Sequence, residues 1–438
     1  MQITKDTKTN SFYVIVTGLF RYNKNTVDEK MLFNDYHQWK HRIFNGNYQS
    51  TFDYLNHSYY DSYLSNTFPE IRHDHSPTDH LNPRVLNHLT LKKCQEKPEA
   101  FQNFALFNRE EKIPFSIEFI DLYLFPFQIG MFSLKLHINQ DKSTLGEISD
   151  FLNSIRHLSA KIQHSESKEC SLKEYVEAHI LHPLDQGHDW DIYNPQLKSF
   201  IMIDLDQEYE QEELNRILFD IGNVSIIGSA KGIGMFAPSD EYYNEQMNRN
   251  KISVFRNWSA LSLFDTFTRI SMNFPDKFNT WEYDYFNIYI HSLYIKFFLY
   301  LTNTELSDVT SADKTTETTR NQFIEFINDW HHSHISYKFL PDLIQDKLLD
   351  SLEIHSEIER MEIKVRRINE HFQEKREKTM NFVLTLITLL NVIPLLYTIS
   401  IWGISMGTPE KFMFPWGSLG ISIVTIAGLI VLFISKRK

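Results

Sequence analysis

Two kinds of hydrophobic pattern run along this chain. The first is strand-like and occupies the N-terminal half. Residues 11–19, 115–124, 128–138 and 200–205 read as strands. The third alternates cleanly, with Phe132, Leu134, Leu136 and Ile138 on one face and Ser133, Lys135 and His137 on the other. A helix is predicted directly after it. Thr144 and Glu147 have capping-box spacing, and Leu145, Ile148, Leu152 and Ile155 form one apolar stripe. Residues 212–219 read as a second helix. Strands mixed with helices predict a layered α/β or α+β domain over residues 1–265. Residues 1–110 are polar and aromatic-rich, and only the strand at 11–19 stands out there. A helical region is expected over 266–340, with a long aromatic helix at 281–301 and a Ser/Thr-rich loop at 307–320. No internal repeat is visible.

The second pattern begins at 341. Residues 342–378 lack Gly and Pro and are dense in mixed charge. Ile354, Ile358, Met361, Val365, Ile368 and Phe372 recur at spacings of four and three, which is a heptad seam. The same register continues through Lys375, Thr379, Phe382, Leu386, Leu389, Ile393, Leu396 and Ser400. The pattern predicts one helix of about 60 residues, roughly 90 Å long. A lone helix cannot bury such a seam, so self-association around an axis is expected. If the axis is open, Thr379, Phe382, Leu386, Leu389, Ile393 and Leu396 line a pore. If it is closed, the seam is a coiled-coil membrane anchor, and periodicity does not separate the two. A polar stripe of Thr388, Asn391, Thr398 and Ser405, with Asn381 in phase, competes for the axis. Threonine and serine can also bond back to their own helix, which weakens that stripe as a signal.

Charge explains why the second pattern matters. No Asp, Glu, Lys or Arg occurs from 379 to 409 or from 412 to 435. Each run holds the roughly 20 apolar residues that a membrane-spanning helix needs, and two side by side argue against buried soluble helices. Lys375, Arg376 and Lys378 precede the first run, and Lys436, Arg437 and Lys438 follow the second. The positive-inside rule then places both termini in the cytoplasm. The expected layout is a stalk at 341–378, spans at 379–405 and 416–435, an outer loop at 406–415 and a basic tail at 436–438. Trp402, Phe414 and Trp416 sit at the outer ends, where aromatic side chains favour the interface. The N-terminus shows no signal-peptide pattern, so the large domain is expected to be cytosolic.

The chain has 438 residues and a net charge of −12; residues 379–438 carry +3, which leaves −15 on the rest. An acidic soluble part argues against binding long nucleic acids, although it permits a local basic pocket. Two cysteines, Cys94 and Cys170, exclude a disulfide framework or a cysteine zinc cluster. Residues 228–234, Gly-Ser-Ala-Lys-Gly-Ile-Gly, could cradle a phosphate through Lys231, Gly232 and Gly234, but they lack a Walker signature and read as a plain turn first. His73, Asp74, His75, Asp79 and His80 read as a solvated loop rather than a metal site, because Pro77 breaks their spacing. His331, His332 and His334 read as a loop or helix end. No serine–histidine–acid or H-E-x-x-H pattern occurs, so no enzyme is expected and no cofactor or metal site is assigned.

The tail resembles the CorA-type divalent-cation channels. Pro394 lies eight residues before Trp402-Gly403-Ile404-Ser405, which occupies the place of that family's Tyr-Gly-Met-Asn. Thr408-Pro409-Glu410 stands for its outer Met-Pro-Glu, Trp416-Gly417 opens the second span, and Lys436-Arg437-Lys438 matches its basic end. The resemblance covers residues 341–438. It implies a homo-pentamer in a bacterial-type inner membrane, with the first span lining a pore for Mg²⁺ or another divalent cation. It also implies a pore mouth at Trp402, Gly403, Ile404 and Ser405, with Glu410 concentrating cations outside. Ser405 replaces the family's asparagine, which makes a wider and less specific mouth. Diverged members act as membrane effectors of type III CRISPR systems, switched by a nucleotide second messenger, and the enlarged soluble part is similar to that branch. Three readings follow: a nucleotide-gated channel, an ordinary Mg²⁺/Co²⁺ uptake channel, and a non-conducting membrane-tethered signalling or scaffold protein.

Overall fold

A computed structural model describes residues 3–23, 27, 29–33, 39–42, 54–68, 80–108, 111–139, 142–164, 169–184, 190–232, 237–273, 280–307 and 314–405. Among these, twelve strands form one sheet: β1 (Thr9–Arg21), β2 (Trp39–His41), β3 (Asn87–Leu91), β4 (Phe104–Asn108), β5 (Glu111–Phe125), β6 (Ile129–Ile138), β7 (Lys161–His164), β8 (Cys170–Ser171), β9 (Lys198–Leu205), β10 (Lys251–Phe255), β11 (Trp258–Ser262) and β12 (Thr266–Met272). Their order is β10-β11-β12-β9-β1-β6-β5-β4-β7-β8, with β3 also on β5 and β2 on β3. Of the described pairings, only β9 with β12 is parallel; the others are antiparallel. The seven longer helices among the described residues are α1 (Leu145–Ile155), α2 (Gln211–Gly222), α3 (Asp240–Asn250), α4 (Phe286–Ser307), α5 (Lys314–Trp330), α6 (Phe339–Ser351) and α7 (Ile354–Ser405).

Strand alternation makes two faces. On the first, Phe12, Val14 and Val16 of β1, Leu134 and Leu136 of β6, and Ile201 and Ile203 of β9 pack with Ile148 and Leu152 of α1 and Leu214 and Ile217 of α2 in one core. The capping box holds α1: Glu147 N–H donates to Thr144 Oγ1 at 3.3 Å, and Thr144 N–H donates to Glu147 Oε2 at 2.8 Å. Two notches key β1 to β6. Gly18 faces Phe132 and Gly130 faces Phe20 in the ladder, and a Cβ at either glycine would overlap the facing ring.

The second face is also covered, by α4: Phe200 packs on Phe286 and Tyr289. Ser133 and Lys135, on the polar half of β6, are therefore buried, and His137 is half-buried. Thr17 and Ser133 share a hydroxyl–hydroxyl bond at 2.9 Å. Lys135, 4% exposed, pairs with the buried Glu282 at 2.8 Å. Nearby, Tyr59 Oη donates to Oδ1 of the buried Asp284. Burial pushes the Asp284 carboxyl up to about 7, while hydrogen bonds from Tyr59 and Tyr54 and the charge of Lys338 pull the other way.

Two expectations change. The predicted loop at 307–320 is helical from Lys314, because α5 packs its aromatics on α4: Phe326 stacks on Phe298, ring centres 3.7 Å apart, and Trp330 meets Tyr294 edge to face at 4.8 Å. The single helix predicted from 342 is two. It breaks after Ser351, and Glu353 takes a left-handed φ of 57° before α7 begins. The chain divides into two compact units, Met1–Asp308 with Thr315–Glu359 and Val309–Lys314 with Arg360–Lys438. The architecture is a mixed α/β sheet domain followed by a long C-terminal helix that is a candidate membrane span.

Candidate functional site

Helix α7 runs unbroken for 52 residues, about 78 Å, through Pro394 and up to Ser405. Burial along its seam changes once. Ile354, Ile358, Met361 and Val365 are buried, and Ile368 and Phe372 are half-buried. Lys375, Thr379, Phe382, Leu386, Leu389 and Ile393 are exposed, Phe382 at 68%. Off the seam, Leu384, Val392, Leu395 and Tyr397 are exposed as well. Uncovered by the other described residues, these apolar side chains have water, lipid, further copies or the remaining chain to face, and water is the costly choice. The helix is long and apolar enough to cross a membrane.

The competing polar stripe is partly satisfied from within. Thr388 donates to Leu384 O at 2.8 Å and Thr398 to Pro394 O at 2.7 Å, as Thr379 on the seam does to Lys375 O at 2.9 Å. These hydroxyls need no water-filled axis. Asn391 is half-buried. Trp402, Gly403, Ile404 and Ser405 form the last helical turn; Glu410 and the second apolar run lie outside the described residues. The side chain of Leu396 is likewise not described.

The Gly228 loop is filled by the chain itself. Gly228 N–H and Ala230 N–H donate to the two carboxylate oxygens of Asp220, each at 2.7 Å. Lys231 pairs with Glu213 at 2.5 Å. Gly228 and Gly232 both have positive φ, as tight turns need. The cradle geometry is real, but its anion is an internal carboxylate. Burial pushes Asp220 up to about 6, against the pull of those two N–H donors. Gly234 lies outside the described residues.

The histidines separate rather than converge. His331, His332 and His334 follow the end of α5. His334 Nδ1 pairs with Asp342 at 2.6 Å, while His332 stacks on the buried His291. Burial holds His291 down at about 3 and His332 at about 4, so both are neutral. His80 pairs with Glu29 at 2.9 Å; residues 73–79 lie outside the described residues. No group of three or more metal-ligating side chains occurs among the described residues.

Sequence reasoning missed one pocket. It holds about 300 Å³ at the root of α7, between the end of α2, α3, the β11–β12 turn and the end of α6. Arg156, Asn223, Tyr242, Arg249, Asn250 and Phe264 line it, with Asp265, Asp350 and Glu353. Arg156 Nε and Asn250 Oδ1 are buried with no hydrogen-bond partner among the described residues. Burial lowers the proton affinity of the Arg156 guanidinium, and the nearby Asp265 opposes that. Asp265 is itself paired with Lys198. The lining residues come from five separate stretches of chain, so no local motif could have shown them.

No protein-family model matches the chain, and no curated protein matches it.

Proposed function

We propose that this chain is a CorA-like, homo-pentameric membrane cation channel gated through its N-terminal domain. In this reading a nucleotide second messenger opens it as an ancillary effector of a type III CRISPR system, and ion balance collapses. The observation that carries the reading is the continuity of α7, from a buried seam at Ile354–Val365 to an apolar stretch in which Phe382, Leu386, Leu389 and Ile393 are exposed.

Five copies would place Thr379, Phe382, Leu386, Leu389 and Ile393 around one axis, where an apolar ring can gate by dewetting. The second apolar run, 416–435, returns the chain across a bilayer, so both termini lie in the cytoplasm and the spans form a hairpin. Ser405 at the pore mouth offers a hydroxyl in place of an amide. Mg²⁺ or another divalent cation would keep its waters there, because magnesium dehydrates reluctantly. A ring of Glu410 would draw cations toward the mouth. A ligand opens such a pore only by binding the open form more tightly than the closed one.

The test is flux of Mg²⁺ and monovalent ions through the purified protein in liposomes, with and without signalling nucleotides. Flux that appears only with nucleotide is expected. Flux without nucleotide that falls as internal Mg²⁺ rises would make it an ordinary uptake channel. An oligomer that passes no ion under either condition would make it a tether.

A further inference from the structure

We infer that the pocket at the root of α7 binds a nucleoside monophosphate-sized ligand through its phosphate, base and ribose. The inference rests on the channel reading for its purpose but not for its chemistry. The phosphate would lie against the guanidinium groups of Arg156 and Arg249, which both line the pocket. Arg156 brings a buried Nε–H without an acceptor, and an anionic oxygen is the strongest acceptor available to a guanidinium. Asn250, 4% exposed, brings the opposite need: its Oδ1 is buried without a donor, while its Nδ2 is already spent on Gln246 at 2.7 Å. An exocyclic base amine supplies such a donor.

Two aromatic side chains share the walls, Tyr242 and Phe264, 45% and 49% exposed. Large aromatics left half in water beside a polar cavity suit the flat face of a base. Asp350 and Glu353 can accept from ribose hydroxyls, a role that bare phosphate would leave unused. The volume, about 300 Å³, is at the small end of ligand pockets and suits one nucleotide unit rather than an oligomer.

Position gives the pocket a regulatory use. Its wall includes Asp350, Ser351 and Glu353, at the link between α6 and α7. Ser351 Oγ is bonded to Ser262 Oγ at 2.6 Å, and Arg249 Nη2 donates to Asp350 O at 3.4 Å. An anion on Arg249 competes with that weak bond. The ligand therefore acts on the backbone from which α7 starts, at the residue with left-handed φ.

The experiment is calorimetric titration of the full chain in detergent with AMP, adenosine and inorganic phosphate as separate probes, alongside the liposome assay. AMP is expected to bind saturably, at least about tenfold tighter than adenosine or phosphate, since one good charged contact exceeds about 1.4 kcal/mol. Arg156→Gln and Phe264→Ala should each weaken AMP about tenfold or more. If Arg156→Gln fails to fold, Arg249→Gln with an unchanged melting temperature takes its place. Unaltered AMP binding in the folded variants, binding of phosphate as tight as AMP, or no AMP binding at all would each overturn the inference. AMP binding that depends on Arg156 in a protein that passes no ions would uphold the pocket and overturn the channel.

Discussion

Replacing Asp284 by asparagine should remove a specific pH dependence from folding. Asp284 is buried under the sheet and accepts from Tyr59, with Tyr54, Tyr63, Tyr285 and Lys338 as its titratable neighbours. Burial raises its carboxyl from 3.8 to about 7. The folded form thus holds the proton more tightly than the unfolded chain. Protonation of Asp284 favours folding fully below pH 3.8, and that advantage is lost as pH rises through about 7. At about 1.4 kcal/mol for each tenfold change in proton affinity, the loss across the window is roughly 4 kcal/mol. The amide of the Asp284→Asn variant keeps an oxygen for Tyr59 and has nothing to titrate. The stability of the native protein minus that of Asp284→Asn should therefore fall by roughly 4 kcal/mol from about pH 4 to about pH 8, whatever constant offset the amide introduces. All other titrating groups are common to both proteins and cancel. Urea unfolding followed by tryptophan fluorescence at several pH values measures it, with Trp281 and Trp330 buried in the same domain. Two curves that run parallel across this range would refute the burial argument.

Three further outcomes are expected. Lys135→Met leaves the buried Glu282 without its partner and should cost about 3 kcal/mol or more in urea unfolding. Gly18→Ala drives a methyl into the Phe132 ring and should cost about 1–3 kcal/mol, with the Gly18→Ala/Phe132→Leu double variant recovering part of it. Leu389→Asn on the seam should raise nucleotide-independent flux in liposomes by hydrating the axis, while Leu390→Asn, one residue off the seam, should not; equal effects would remove the heptad assignment.

Much of the fold was legible where a local pattern decides it. The β6 alternation, the Thr144–Glu147 capping box and the apolar stripe of α1 depend on near neighbours, and all three are present. The fate of the polar face was not legible. The alternation places Ser133 and Lys135 opposite the apolar face, yet both are buried, and Lys135 is held there by ion pairs with Glu282 at 2.8 Å and Glu118 at 2.9 Å. The break at Glu353 was hidden because nothing in its sequence disfavours helix; the break shows only in the backbone's left-handed turn there. The Gly228 loop was read as able to hold an anion, but Asp220, eight residues earlier, already supplies one. The pocket beside α7 is assembled from parts of the chain up to about 200 residues apart, which periodicity cannot bring together.

The paired glycine–phenylalanine notches between β1 and β6 have a consequence for how this sheet assembles. Sliding β6 by one residue would turn its apolar set to the wrong side. Sliding it by two keeps the sides correct, so hydrophobic pattern alone would permit it. In one direction that slide sets Phe20 against Phe132; in the other it sets Gly18 against Gly130 and leaves a hole. One error is too full and the other too empty. The two notches act as a combination that opens only at a single offset, and they proofread the central strand pair on which the rest of the sheet is laid.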